Sequence, residues 1–417
     1  MTTARTWKNT CLIAAVLLLS VVTSCRKNSD KKQPLESGNK ENIIVAANQT
    51  GDYLDLLKGK NVAVVANNTS VIFKSDDGHS YQHLVDSLIS LNIKITKIFA
   101  PEHGFRGLDD AGQVIENNID EKTGLPVISL YGDNNNGNHN NKPTKEQLEN
   151  VDLVLFDMQD VGTRFYTYLS TMHYVMEACA ENGIPLIVLD RPNPNGNYID
   201  GPVLEKEFRS FVGLHPVPIV YGMTIGEYAK MINGEKWLKD SLQCELSVIP
   251  LKNYTHDSSY SLPIRPSPNL PNDKSINLYP SLCLFEGTNV SCGRGTEMQF
   301  QIFGSPYLPE DTYTFTFIPK SNFGSKNPKY KDVACHGMDL RNTKNLSSID
   351  FTWLIDAYNA TAKKDEFFRE KSFNILAGTN KLKEQIEQGL SFEEIKETWQ
   401  NDLTAFKKIR EKYLIYP

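Results

Sequence analysis

Four short polar stretches hold the residues of this sequence that are best suited to chemistry. Each follows directly on an apolar run, and together they contain carboxylates, arginines and tyrosines; they are residues 101–107, 131–132, 157–166 and 190–196. In the first stretch, Glu102 stands next to His103. Carboxylate and imidazole side chains can donate or remove a proton when they are held against a reacting group. These stretches are therefore our candidates for a shared catalytic and binding site.

The apolar runs before these stretches predict strands that are buried on both faces. Strands are predicted at residues 61–66, 95–100, 125–131, 151–158 and 184–190, with helices at 82–91 and from about 165 to 183. Alternation of strands and helices is typical of a Rossmann-like parallel sheet in an α/β protein. Ligands bind beyond the carboxyl ends of such strands. We therefore expect the four polar stretches to meet at one edge of the sheet.

A nucleotide is the usual ligand of such a sheet, but the glycines that would bind it are missing. The first predicted strand is followed by residues 67–70, Asn-Asn-Thr-Ser, and the sequence contains no phosphate-binding loop. Without those glycines the backbone cannot approach a pyrophosphate closely. The cysteines and histidines show no zinc-ligand spacing either. We therefore predict no nucleotide cofactor and no metal.

The second half of the chain has its own elements. Thr224 and Glu227 form a capping box that opens a helix, and residues 261–271, with four prolines, predict an extended loop. Residues 284–297 combine many glycines with Glu, Asn and Arg, so this loop can approach a ligand closely. A second capping box begins at Ser391 and predicts one long terminal helix with an apolar stripe.

The N-terminus predicts export. Arg5 and Lys8 precede an uncharged apolar run at residues 12–22, which suits a signal peptide better than a transmembrane helix. Small residues before Cys25 resemble a lipobox, which implies that Cys25 carries a lipid. Residues 26–41 are polar and predict a flexible linker. We therefore expect residues 1–25 to be a signal peptide and the protein to be a membrane-anchored lipoprotein that faces the periplasm or the cell surface.

Length and charge narrow the remaining choices. The chain has 417 residues and a net charge of −6. After the linker, about two domains remain, which we place at residues 42–210 and 211–417. A nucleic-acid-binding protein would need a basic face, so the acidic balance argues against nucleic acid as a partner.

Four of the motifs resemble the NamZ-type exo-β-N-acetylmuramidase family, formerly a domain of unknown function. They are residues 100–107, 160–168, 189–194 and 285–296, and the resemblance runs in order from about Asn61 to the C-terminus. The resemblance implies a Rossmann-like first domain, a second α/β (α+β) domain and an active site in the cleft between them. It also implies removal of N-acetylmuramic acid from non-reducing ends of peptidoglycan fragments during cell-wall turnover.

Glycoside hydrolysis usually needs two carboxyl groups. Glu102 matches the glutamate that the resemblance implies is catalytic, with His103 beside it to control its protonation. We predict Glu286 as the second carboxylate and keep Asp157 as the reserve. An arginine should bind the lactyl carboxylate of the sugar, because its planar fork grips both oxygens. The predicted substrate-binding set is Arg106, Tyr131, Asp157, Arg164, Tyr166, Arg191, Asn193, Asn289, Arg294 and Glu297, with Arg191 and Arg294 preferred as carboxylate readers.

Two alternatives from other functional classes remain open. One is a non-catalytic glycan-binding lipoprotein that passes sugar to a transporter, which would need aromatic platforms but no paired carboxylates. The other is an esterase or deacetylase that uses His103 or His173. It ranks last because the sequence has no GxSxG motif and no metal-ligand set.

Overall fold

The structure is a computed structural model that describes residues 42–75, 77–107, 117–132 and 141–417. The predicted signal peptide and linker, including Cys25, lie outside the described residues. Residues 42–417 belong to one compact unit. In the described part of the chain, no helix is long and apolar enough to cross a membrane.

A seven-stranded sheet organises the first part of the chain. Its order is β5-β6-β4-β1-β7-β8-β9, and all neighbours pair in parallel except β5, which is antiparallel at one edge. The predicted Rossmann-like parallel sheet is confirmed. The strands of the protein are β1 Val62–Ala66, β2 Val71–Phe73, β3 Tyr81–His83, β4 Ile95–Ala100, β5 Asn118–Ile119, β6 Pro126–Ser129, β7 Leu153–Asp157, β8 Leu186–Leu189, β9 Leu246–Ile249, β10 Ile302–Ser305, β11 Phe315–Phe317 and β12 Cys335–Asp339.

Both faces of this sheet are covered, which explains the unbroken apolar runs of its central strands. In β1, Ala63 and Val65 pack into the larger core, which also includes the C-terminal part of the chain. Val62, Val64 and Ala66 face the smaller core on the other side. Burial of alternate residues on opposite faces requires apolar side chains at every position.

The helices cover the sheet and build most of the second part. They are α1 Thr50–Leu57, α2 Leu84–Ser90, α3 Tyr168–Asn182, α4 Ile225–Gly234, α5 Asp273–Leu282, α6 Thr352–Ala360, α7 Glu370–Ala377, α8 Lys381–Glu387, α9 Phe392–Glu397 and α10 Gln400–Arg410. The predicted capping box of Thr224 and Glu227 is present at the start of α4. Gly183 ends α3 with a φ of 64°, in the left-handed region that favours glycine.

The second part combines α5–α10 with an antiparallel sheet of order β10-β12-β11. A second domain with helices and strands is thus present. Its boundary differs from the predicted residue 210, since β9 pairs with β8 and belongs to the first sheet. The edge strand β9 is half-exposed and carries a weak apolar signal, so the boundary prediction missed it.

The predicted terminal helix is wrong in one respect, because two helices replace it. The capping box at Ser391 opens α9, but this helix ends at Glu397, and Thr398 and Trp399 separate it from α10. The Trp399 indole donates to Asp200 Oδ1 at 3.1 Å. This distant contact fixes Trp399 in a non-helical conformation that the apolar stripe does not reveal.

Candidate active site

Glu102 and His103 lie in a tight turn directly after β4. His103 has a φ of 70° and Gly104 a φ of 75°, a region in which residues other than glycine are uncommon. The His103 side chain is buried, with Nε2 3.1 Å from Ser267 Oγ. Such conformations persist where the surrounding structure holds them, and they cluster at functional sites.

The Glu102 carboxylate lies beside side chains from two further elements. Thr167 Oγ1, just before α3, donates to Glu102 Oε2 at 2.8 Å. Tyr131, which follows β6, also lies beside Glu102, and burial together with this carboxylate raises the pKa of Tyr131. Because β4, β6 and α3 converge here, the carboxyl edge of the sheet positions one carboxylate at the mouth of a cleft.

The cleft combines aromatic walls with small polar groups. Besides Glu102, its lining is His103, Phe165, Tyr166, Thr167, Tyr168, Ser267, Asn269, Leu270, Tyr279, Arg294 and Phe300. The Tyr166 hydroxyl donates to the Pro266 carbonyl at 2.6 Å, so the first part of the chain is tied to the proline-rich loop. A sugar ring has apolar faces and polar edges, and a cleft lined in this way can contact both.

Arg294 contributes the cationic group of the cleft lining. Its Nε and Nη2 both donate to the Glu286 carboxylate, the latter at 3.2 Å, and its guanidinium lies 5.2 Å from the centre of the Phe300 ring. Burial lowers the pKa of Arg294, but the Glu286 carboxylate raises it and the net shift is upward. Arg294 therefore stays charged, and its remaining N–H groups are available to an anionic ligand.

Glu286 has a different place from the one predicted for it. Its carboxylate is paired with Arg294, and Glu286 is not among the residues that line the cleft. The geometry therefore shows Glu286 as the partner of Arg294, and its role as the second carboxylate stays a prediction.

Two predicted arginines are buried and structural. Arg191 Nε and Nη2 donate to the two Asp157 oxygens at 2.5 and 2.8 Å, and both residues are almost fully buried. Burial also lowers the pKa of Arg164 to about 9. The Arg164 guanidinium donates to four backbone carbonyls, those of Pro202, Val217, Leu376 and Ala377. Asp157, Arg164 and Arg191 are therefore held in the interior and do not line the cleft.

Four other predicted binding residues also lie apart from the cleft. Arg106 donates to both oxygens of Asp120, at 3.1 and 2.9 Å. The buried Asn193 and Asn289 side chains donate to backbone carbonyls of neighbouring loops, at 2.8 and 3.3 Å. Glu297 is exposed. The Arg106 guanidinium and the two amides thus have partners within the protein, and their predicted role in binding substrate stays a prediction.

His173 does not support the esterase or deacetylase alternative. It is buried on α3, with Nδ1 3.0 Å from His215 Nε2 and Nε2 3.6 Å from Glu177, and it is not part of the cleft lining. Among the described residues, no group of three or more His, Cys, Asp or Glu side chains could hold a metal ion.

Several cleft residues were not selected from the sequence. Thr167 and Tyr168 stand inside a motif that we recognised, whereas Ser267 and Asn269 belong to the loop that we noted only for its prolines. Tyr279 and Phe300 sit in elements with ordinary apolar patterns. For the loop, a usable signal was the pair of hydrogen-bonding side chains between rigid prolines, which suits a preorganised binding segment.

Comparison with known proteins identifies the family. Residues 62–274 match the family described as exo-beta-N-acetylmuramidase NamZ, N-terminal, and residues 277–416 match its C-terminal counterpart. The chain is also 38% identical over 429 residues to the peptidoglycan beta-N-acetylmuramidase NamZ of Bacillus subtilis (strain 168). That alignment covers 97% of this chain and 98% of the relative.

Two solved structures share the fold. Both are DUF1343 family proteins of Bacteroides fragilis NCTC 9343, and each match covers 90% of this chain and 99% of the other. One is 45% identical with a TM-score of 0.81, and the other is 29% identical with a TM-score of 0.77. With both halves matched in order and a full-length relative at this identity, the chain belongs to the NamZ family of exo-β-N-acetylmuramidases.

Proposed function

We propose that this protein is an exo-acting glycoside hydrolase that releases N-acetylmuramic acid from the non-reducing ends of peptidoglycan fragments. The observation that carries the proposal is the Glu102 carboxylate, held by Thr167 at a cleft that Arg294 also lines. The family and the Bacillus subtilis relative support the same reaction.

We propose that Glu102 acts as the general acid. In glycoside hydrolysis a carboxylic acid protonates the oxygen of the leaving group while positive charge develops on the sugar ring. Thr167 orients the Glu102 carboxyl group, so its proton can be directed at the glycosidic oxygen. The proton passes to this oxygen as its bond to the anomeric carbon breaks. Water then adds to the anomeric carbon, and the proton that the water releases restores the Glu102 carboxyl group.

We propose that Arg294 distinguishes muramic acid from glucosamine. The two sugars differ by a lactyl ether that ends in a carboxylate, and Arg294 brings a positive charge to the cleft lining. Glu286 occupies one side of the guanidinium fork and leaves N–H groups on the other. A charge-assisted hydrogen bond from these groups would bind the lactyl carboxylate.

Substitution of Glu102 tests the function. Glu102→Gln keeps size and polarity but cannot donate the proton, so we expect the rate to fall by at least about a hundredfold. The measurement is release of N-acetylmuramic acid from a chromogenic muramide and from purified peptidoglycan fragments, with folding checked by thermal denaturation. A Glu102→Gln variant that works at the wild-type rate would disprove the assignment, and a wild-type protein that binds the fragments without cleaving them would favour the non-catalytic alternative.

We further propose that the protein is a lipoprotein anchored through Cys25 on the periplasmic or outer face of a membrane. The sequence supports this through the basic start, the apolar run and the small residues before Cys25. Cys25→Ala should remove the lipid and shift the protein from the membrane fraction to the soluble fraction, since firm anchoring requires acyl chains. Membrane fractionation of the wild type and the variant measures this, and a variant that stays with the membrane would refute the anchor.

A further inference from the structure

Tyr131 lies at a boundary of the active site. Tyr131 lies beside the Glu102 carboxylate, whose charge together with burial raises the pKa of Tyr131, and Glu102 also lines the cleft that contains Arg294 and Phe300. Since Tyr131 is partly exposed, an accessible aromatic ring adjoins the acid next to the residues of the cleft. A general acid stands between the sugar that is being cut off and its leaving group, so the Tyr131 side is available to the leaving group.

Two further aromatic rings continue from Tyr131. The Tyr131 and Phe211 ring centres are 5.8 Å apart, and Phe211 and Tyr174 are nearly parallel, with an interplanar angle of 11° and centres 6.3 Å apart. All three side chains are partly exposed. Three adjacent, partly exposed rings form an apolar surface that continues the active site, and we name it the aromatic row.

Helix α3 places this row at a defined distance from the acid. Thr167, which donates to Glu102, and Tyr174 are seven residues apart, so they lie on the same face of the helix. At 1.5 Å per residue, Tyr174 lies about 10 Å further along α3 than Thr167. The row therefore starts at the acid and extends away from it along one rigid helix.

We propose that Tyr131, Phe211 and Tyr174 form the binding subsite for the leaving sugar of the glycan fragment, with Phe211 and Tyr174 as its stacking surface. The apolar faces of a pyranose ring pack on aromatic rings, while the hydroxyl of Tyr131 can also contact the sugar edge. The occupant is the N-acetylglucosamine unit that follows the released muramic acid, because the row starts at Glu102 and extends away from it along α3. This inference rests on the proposed function.

A pair of substrates that differ only in the leaving group tests the subsite. One is the disaccharide in which N-acetylmuramic acid is linked to N-acetylglucosamine, and the other is N-acetylmuramyl fluoride, whose leaving group is a single atom. Phe211→Ala and Tyr174→Ala should each lower kcat/KM for the disaccharide by roughly tenfold, since each loses one ring contact. Both variants should cleave the fluoride at the wild-type rate.

Two controls keep the result interpretable. Phe211→Leu retains apolar volume but not a flat ring. It should therefore also have a lower kcat/KM for the disaccharide, although it folds as the wild type does. Tyr81→Ala removes an exposed aromatic ring outside the row (52% exposed) and should change neither substrate. Equal loss on both substrates, or no loss on either, would overturn the subsite. A wild-type protein that cleaves neither substrate would overturn the proposed function itself.

Discussion

Arginines with similar sequence surroundings play different roles in this protein. Arg164, Arg191 and Arg294 all stand in polar motifs, yet only Arg294 lines the cleft. Arg191 pairs with Asp157 because β7 and β8 are neighbours and their ends lie side by side. The carbonyls that hold Arg164 come from two loop residues and from the C-terminal end of α7, all far away in the sequence. Residue type and spacing can therefore indicate which arginines are candidates for binding substrate, but the group that each arginine pairs with depends on the tertiary fold.

Replacing Arg294 should change specificity more than stability. Arg294→Ala is expected to lose about 2–5 kcal/mol of binding to the muramic substrate, the cost of a charged hydrogen bond to substrate. It should hardly affect a weak activity on the N-acetylglucosamine analogue, which has no lactyl carboxylate. The measurement is kcat/KM on both substrates, and a proportional loss on both would show that Arg294 does not read the lactyl group.

Arg191→Ala is the matched control for this specificity change. It breaks the buried pair with Asp157 and leaves a carboxylate uncompensated in the interior, which costs about 3–5 kcal/mol of folding stability. Any activity that the folded fraction retains should show the wild-type ratio between the two substrates. A changed ratio in Arg191→Ala would mean that this arginine also contacts substrate.

At the scale of elements, the sequence correctly predicted those strands and helices whose burial pattern is set by neighbouring residues in the chain. The buried runs of β1, β4, β7 and β8 and the stripe of α3 follow from burial on both faces or on one face, and the sequence contains that information directly. The half-exposed edge strand β9 and the break before α10 depend on distant partners instead. Capping boxes were reliable because all of their hydrogen bonds lie within four residues.

The two capping boxes are chemically alike but differ in burial, which gives a test. Glu227 is fully buried, and besides capping α4 it accepts hydrogen bonds from the Ile415 and Tyr416 backbones, at 2.8 and 3.2 Å. In Glu227→Gln an amide NH2 group replaces one of the accepting oxygens, so it faces N–H donors with which it cannot pair. The free energy of unfolding should therefore fall by about 3 kcal/mol. Glu394→Gln, in the exposed box, should leave it almost unchanged. Denaturant titration of both variants decides, and equal effects would contradict the role of Glu227 in holding the C-terminus.

At the scale of the whole molecule, the cleft is a product of long-range contacts. The His103 side chain contacts Ser267, and the Tyr166 hydroxyl donates to the carbonyl of Pro266. Each contact joins residues that are about a hundred positions or more apart in the sequence. No periodicity or spacing encodes such contacts, which is why the cleft was expected from the family resemblance and not from residue patterns. Only the convergence of strand ends at one sheet edge followed from general rules.

Several titratable groups are buried throughout this fold, and they set its dependence on pH. Burial lowers the pKa of His83 and His173 to about 4 and that of His215 well below its usual value. Burial raises the pKa of Asp160 and Asp190 to about 6, and it also raises that of Asp157. The histidines make the unfolded chain bind more protons between about pH 6.5 and 4, whereas the three aspartates oppose this below about pH 6, because the folded chain then binds more protons.

The histidines of the unfolded chain take up protons near pH 6.5, before the buried aspartates do near pH 6, so we expect folding stability to fall as the pH drops from about 7 to 6. Each uncompensated histidine contributes a slope of at most about 1.4 kcal/mol per pH unit, because the unfolded chain takes up a proton that the folded chain refuses. Denaturant unfolding at a series of pH values measures this slope. His83→Asn, which keeps a side chain able to cap α2, should flatten the slope, while His79→Gln at an exposed position should not. Stability that rises between pH 7 and 6, or a slope in this interval that His83→Asn leaves unchanged, would mean that the buried histidines do not control it.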